Sequence, residues 1–216
     1  INKTQAFWVG KDAVNQEPIC LDINMKWTKK IQVLGITFAN EDDDCMEENY
    51  ETKLEKIKMI ILSWKRRSLS LIGKIVIIKT LLLPILTHVF TALPRPSNDF
   101  MKRLKSTLFH FIWNGKVDRV KRSSLCKQYH NSGMKMIDVE TYVTALKITW
   151  VKREIVGDHD WCELFRQEIV QGQFTWERNA ASLIQMARKM YNPFWAEVLT
   201  AMAKYDSSGS TDVGHS

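Results

Sequence analysis

The chain has 216 residues, 45% of them hydrophobic, and a net charge of +7; this is enough for one large domain or two small ones around a real core. Its four cysteines, Cys20, Cys45, Cys126 and Cys162, are scattered without a CxxC pair, which indicates neither a disulfide framework nor a standard zinc module, and the first residues do not read as a secretory signal peptide. The charge is unevenly placed: Glu41, Asp42, Asp43, Asp44, Glu47 and Glu48 form an acidic block, and setting those six charges aside moves the net from +7 to +13, a basic body that suits a polyanion, most often nucleic acid.

In chain order, residues 1 to about 40 read as β-rich. Ala6-Phe7-Trp8-Val9 is a short apolar strand ended by Gly10, and Ile31 to Phe38 (IQVLGITF) is rich in β-branched residues with imperfect alternation. Gly35 inside that run suggests a bulge or a close backbone approach. The acidic block, 41–48, is expected as an exposed loop leading into the first helix, where acidic residues suit the helix dipole. Tyr50, Leu54, Ile57, Ile61 and Trp64 recur at spacings of four, three, four and three, one face of an α-helix. The basic knot Lys65-Arg66-Arg67 follows, and Ser68 is the expected cap of the next helix.

That next helix, about Leu69 to Phe90, is apolar except for Lys74 and Lys79, and Pro84 should kink or end it. Its length approaches the ~20 residues of a membrane span. Each internal lysine would cost about 2.5 to 3.5 kcal/mol at the bilayer centre, which argues against one. Ser97 caps a third helix through Ile112, stopped by Asn114-Gly115. A basic linker with Lys116, Arg119, Lys121 and Arg122 leads to a helix from near Asp138 to about Arg153, with Val139, Val143, Leu146 and Trp150 facing inward. Three shorter helices follow, about Asp160 to Gln171, Asn179 to Met190, and Pro193 to Lys204, the last with proline in its first turn. The small polar tail from Ser207 reads as disordered. The chain is therefore mainly α with a small N-terminal β-hairpin region.

The constellations that could carry chemistry are weak. The acidic block has no second acidic strand to complete a two-metal site. Cys126 and His130 are four apart, and His159 and Cys162 three apart; neither spacing is that of a zinc knuckle, so ordinary surface histidines and buried cysteines are the expectation. There is no nucleophile-elbow serine and no Gly-rich phosphate loop. Trp64, Trp113 and Trp150 lie on apolar faces, where core packing outweighs base stacking.

Four segments resemble the reverse transcriptases of non-LTR, long-interspersed-element retrotransposons: INKTQAFWVG at 1–10, IQVLGITF at 31–38, WKRRSLSLIGKIVIIKTLLLPILTH at 64–88, and FIWNGKVDRVKRSSL at 111–125 with MIDVETYVTALKITWVKR at 136–153. The match spans about residues 1 to 165, with 64–88 the most specific. The resemblance implies the end of the palm and the primer grip in 1–40, a helical thumb in 49–115, a basic linker and helical region in 116–205, and a disordered tail in 206–216. By it, Lys3 lies near the incoming nucleotide, and Leu34 and Gly35 form the grip on the primer end. Lys65, Arg66, Arg67, Lys74 and Lys79 contact the phosphates of an RNA–DNA or DNA duplex, tracking shape more than sequence.

The chain opens on Ile1 in mid-pattern and reads as a fragment. The family's Tyr/Phe-x-Asp-Asp motif lies upstream of the Asn-Lys-Thr segment, so the carboxylates that hold Mg²⁺ in the parent enzyme, and its N-terminal palm and fingers, are expected elsewhere in the parent chain. Asn131 to Met136 departs from the Gly-Gly-Leu-Gly-Met type of turn usual in the family, which puts the local turn geometry in question. The expectation is a primer–template-binding fragment inactive alone, binding no cofactor and no membrane; the sequence leaves the location of the parent open, nucleus and cytoplasm both fitting such an element. A non-enzymatic basic nucleic-acid-binding module and a helical protein–protein interaction domain remain the alternatives.

Overall fold

The computed structural model describes residues 5–7, 26–39, 42–156, 159–171 and 179–209. It is mainly helical with a small β region at its N-terminal side. β1 (Gln5–Ala6) pairs in parallel with β2 (Lys26–Trp27). β3 (Lys30–Val33) pairs antiparallel with β4 (Ile36–Ala39), Val33 opposite Ile36. Leu34 and Gly35 are thus the two-residue tip of a hairpin, with φ of 51° and 78°, the positive-φ pair that a type I′ turn requires. Gly35 is not a bulge inside one strand, and the imperfect alternation of 31–38 is explained by the chain reversing there.

α1 (Asp42–Lys65) begins inside the acidic block, so the loop expected at 41–48 is, from Asp42, the opening of the helix. Carboxylates are in general favoured near a helix N-terminus by the unpaired amides there, so an acidic composition is compatible with a helix start. Tyr50, Leu54 and Ile57 of α1 are fully buried. Tyr50 holds three elements together: its ring lies 5.8 Å from Phe90 and 5.3 Å from Phe100, and its hydroxyl donates to the Pro94 carbonyl at 2.6 Å.

The cap after the basic knot is Ser70, not Ser68. Ser70 Oγ accepts from the Gly73 N–H at 3.1 Å and opens α2 (Leu71–Ile77). The helix then passes through one π-helical turn, Ile78–Leu82, into α3 (Leu83–Ala92). Pro84 offers no N–H to the Thr80 carbonyl, and a turn wound one residue wider, in which the Leu83 N–H reaches the Ile78 carbonyl, absorbs the defect that was expected to kink or end the helix. Leu71–Ala92 is long and apolar enough to cross a membrane. In the fold Ile78, Leu82, Leu83, Leu86, Val89 and Phe90 are its fully buried residues, packed among α1, α4 and α6.

α4 (Asn98–Ile112) is capped by Ser97, whose Oγ accepts from the Phe100 N–H at 3.2 Å, and it ends where Asn114 and Gly115 turn left-handed. A short α5 (Arg122–Cys126) precedes α6 (Val139–Val156), where Asp138 Oδ2 accepts from the Thr141 N–H at 2.9 Å. These helices share the main core with α1 to α3. α7 (Asp160–Gln171), α8 (Ala180–Lys189) and α9 (Pro193–Gly209) enclose a second core around Phe165, Leu183, Met186 and Leu199. α9 runs to Gly209, so the segment expected as tail from Ser207 is helical to that point. It packs on α6 as well as α8.

Candidate nucleic-acid interface

The basic knot sits where α1 hands over to α2. The chain reverses through two backbone bonds, Arg67 N–H to the Trp64 carbonyl at 3.0 Å and Leu69 N–H to the Arg67 carbonyl at 2.9 Å. Lys65, Arg66 and Arg67 are all exposed, and none has a carboxylate within ion-pair distance among the described residues. Arg67 is steadied by its guanidinium lying 4.2 Å above the ring of Trp64, a half-buried side chain packed on the main core. The knot is therefore a set of unneutralised cations on a turn braced by two helices, one of them resting on a core aromatic.

Lys65 also borders a groove of about 510 Å³ between α1 and α4, floored by Ile61, Leu62 and Phe111. Two other cations on that rim are neutralised. Lys58 pairs with Glu55 at 2.6 Å. Arg103 Nη1 donates to Glu51 at 2.9 Å, its Nη2 makes a second short bond to the same carboxylate, and its Nε donates to Asp99 at 2.8 Å. The hydrogen bonds from Arg103 hold the Glu51 carboxyl below its ordinary range, and the two carboxylates keep Arg103 protonated. This fork ties α1 to α4.

The two lysines of the apolar helix have separate fates. Lys74 is buried; its ammonium donates to the Ile112 carbonyl at 2.9 Å and to Asn114 Oδ1 at 2.6 Å. It closes the last turn of α4 against α2, and burial pushes its pKa down. A lysine in an apolar helix needs a partner or a route to water, and Lys74 takes a partner. Lys79 lies in the π-helical turn, half-exposed and with no carboxylate partner among the described residues.

The hairpin is held by the N-terminal half of α1. Asn49 Oδ1 accepts from the Thr37 N–H and its Nδ2 donates to the Thr37 carbonyl, both at 2.8 Å. Lys30 pairs with Glu48 at 2.7 Å, and Lys53 Nζ reaches the Gly35 carbonyl at 3.4 Å. Leu34 is left 85% exposed at the tip. From Lys53, which touches the tip, to Lys65 is twelve residues of helix, roughly 18 Å at 1.5 Å per residue. Lys3 lies outside the described residues.

Sequence reasoning missed the buried polar pair between α6 and α9. Lys147, 1% exposed, donates to the Leu93 carbonyl, lies 3.7 Å from Glu197 Oε2, and sits 4.2 Å above the Phe194 ring. Glu197 also accepts from the Arg95 N–H at 2.6 Å. Burial pushes Lys147 down to about 8 and Glu197 up, each partly offset by the other. The signal available was Lys147 one residue beyond the inward-facing Leu146. No group of His, Cys, Asp and Glu among the described residues could hold a metal ion; Cys162 is buried and Cys126 half-buried, its thiol pushed up first by burial and then by Asp138. No profile of a known protein family matches this chain.

Proposed function

We propose that this chain is the primer-grip, thumb and helical-linker part of a retroelement reverse transcriptase, and that it holds a primer–template duplex. The observation that carries the reading is the knot of unneutralised cations, Lys65, Arg66 and Arg67, at the end of a helix whose middle, at Lys53, reaches the Leu34–Gly35 tip. The resemblance of residues 64–88 to the root of such a thumb supports the same assignment. Roughly 18 Å between the two points matches about five nucleotide steps at ~3.4 Å each along one strand, so one rigid helix can measure the distance from a primer end to the phosphates behind it.

In this reading the knot and Lys79 neutralise phosphates and release counterions, Leu34 and Gly35 meet the primer end, and Lys3 approaches the incoming nucleotide. Lys74 positions α2 on α4 from inside rather than touching a phosphate. The Mg²⁺-binding carboxylates of RNA-templated DNA synthesis belong to another part of the parent chain, and the fragment by itself extends no primer. Robust primer extension by the fragment in Mg²⁺ would overturn that placement of the carboxylates.

The test of the interface is fluorescence anisotropy with a labelled RNA–DNA hybrid over a salt series. Reversing Arg66 and Arg67 to Glu should weaken binding regardless of sequence and flatten the log K against log[salt] slope by about 0.9 for each phosphate no longer neutralised. Unchanged affinity and slope would remove the knot as a phosphate site. Salt-insensitive behaviour of the parent fragment would favour the protein-interaction reading instead.

A further inference from the structure

Beyond the knot, the chain carries a second basic surface. Residues 116–135 hold six Lys or Arg against one carboxylate, Asp118, which is taken up by Arg122 at 2.7 Å. At the end of this stretch lies a tightly wound loop. The N–H groups of Ser132 and Gly133 return to the Tyr129 and Gln128 carbonyls, those of Met134 and Met136 to the Leu125 carbonyl, and that of Lys135 to the Lys127 carbonyl, all between 2.9 and 3.1 Å. A Cβ at Gly133 would lie 2.1 Å from the Lys127 carbonyl oxygen, so no other residue fits.

Ser132 and Lys135 both adopt left-handed backbone, φ 57° and 52°. For lysine this conformation is costly and persists only where surrounding contacts enforce it, a condition concentrated at functional sites. The product of this winding is one exposed aromatic. Tyr129 is 59% exposed, and the Lys135 ammonium it brings round lies over one face of the ring, 4.9 Å from the centroid. Lys127 and His130 flank it, both exposed and without a carboxylate partner among the described residues.

We propose that the Tyr129–Lys135 loop is a single-strand nucleic-acid site, in which an unpaired base stacks on the face of Tyr129 away from Lys135 while Lys127 and Lys135 neutralise the neighbouring phosphates. The ligand class follows from the chemistry. A flat aromatic face set among cations recognises a π-face joined to a polyanion, and only an unpaired base presents its face. A duplex would use the charges and leave the ring idle, and so would an acidic peptide. The assignment stands on this loop and does not rest on the knot.

The test uses the full chain, a labelled oligouridylate and a blunt RNA–DNA hybrid. Tyr129→Ala should weaken oligouridylate binding roughly 5- to 150-fold, the range of one base–aromatic stack, with its salt slope intact and hybrid binding unchanged. Tyr129→Phe should restore it, because stacking does not need the hydroxyl. Lys135→Gln should instead flatten the single-strand salt slope by about 0.7. A Tyr129→Ala protein that binds oligouridylate as the parent does, or loses the hybrid equally, overturns the proposal, as does polyglutamate competing as well as oligouridylate. Arg66/Arg67 reversal reads the duplex surface separately, so either site can fail without the other.

Discussion

Lys147 offers a quantitative handle on how the C-terminal helices are attached. Its ammonium is 1% exposed, with one backbone carbonyl, a carboxylate at 3.7 Å and an aromatic face at 4.2 Å as partners. These do not replace the hydration it gives up, so its pKa falls from 10.5 to about 8. At 1.36 kcal/mol per decade of acidity, the buried charge costs the fold about 3 kcal/mol at neutral pH. Below pH 8 folded and unfolded chains both carry the proton and the cost is fully present. Between about 8 and 10.5 the unfolded chain binds more proton, so this group's contribution to stability rises with pH.

Lys147→Met removes the titration. Urea unfolding followed by tryptophan fluorescence in both proteins, from pH 7 to 10.5, should show the unfolding free energy of the parent gaining about 3 kcal/mol on that of the variant across the window. Groups that do not interact with Lys147, including Tyr50, whose pKa burial raises, cancel in the difference. Repeating the pair with Glu197→Gln removes the attraction that holds Lys147 up, so the window should open below pH 8. Parallel curves for parent and Lys147→Met would refute the reasoning, since they would mean that the ammonium is as well solvated in the fold as in water.

Lys74→Ala orphans the Ile112 carbonyl and frees Asn114, and should cost roughly 1 to 3 kcal/mol in denaturant melts, with hybrid affinity per folded molecule unchanged; a loss of affinity at unaltered stability would return Lys74 to the phosphate contacts. Leu34→Asn places at φ 51° the residue that type I′ turns favour, and should raise stability by about 0.5 to 1 kcal/mol. If Leu34 meets a primer end, the same substitution weakens binding of a recessed primer–template more than of a blunt hybrid in an anisotropy titration.

The helices were legible because periodicity and capping are local. Tyr50, Leu54 and Ile57 share a stripe whatever they pack against, and Ser97, Asn179 and Pro193 mark helix starts by chemistry confined to one turn. Boundaries decided by competition between near-equal local choices were less readable. Ser68 and Ser70 are equally good caps in isolation, and tertiary packing of Leu69 and Leu71 on the main core selects the second. The acidic block reads as a loop by composition, yet helix continuity from Asp42 prevails. Pro84 carries no instruction for a π-turn; that solution exists because Leu82, Leu83 and Leu86 stay buried only if the helix continues.

By itself the sequence determined a mainly α chain with a β-hairpin at its N-terminal side, an uneven positive charge, and cations gathered at the turn after Trp64. What each cation does was decided by tertiary structure alone. Lys74 and Lys147 inside the fold, and Arg103 on the seam between α1 and α4, are spent on carbonyls and carboxylates supplied from 38 to 54 residues away in sequence, whereas Lys65, Arg66, Arg67 and Lys135 are left facing water. Charge is a property of the residue. Whether it is free to meet a phosphate depends on which distant groups the packing brings within about 3 Å of it, and no spacing along the chain records that.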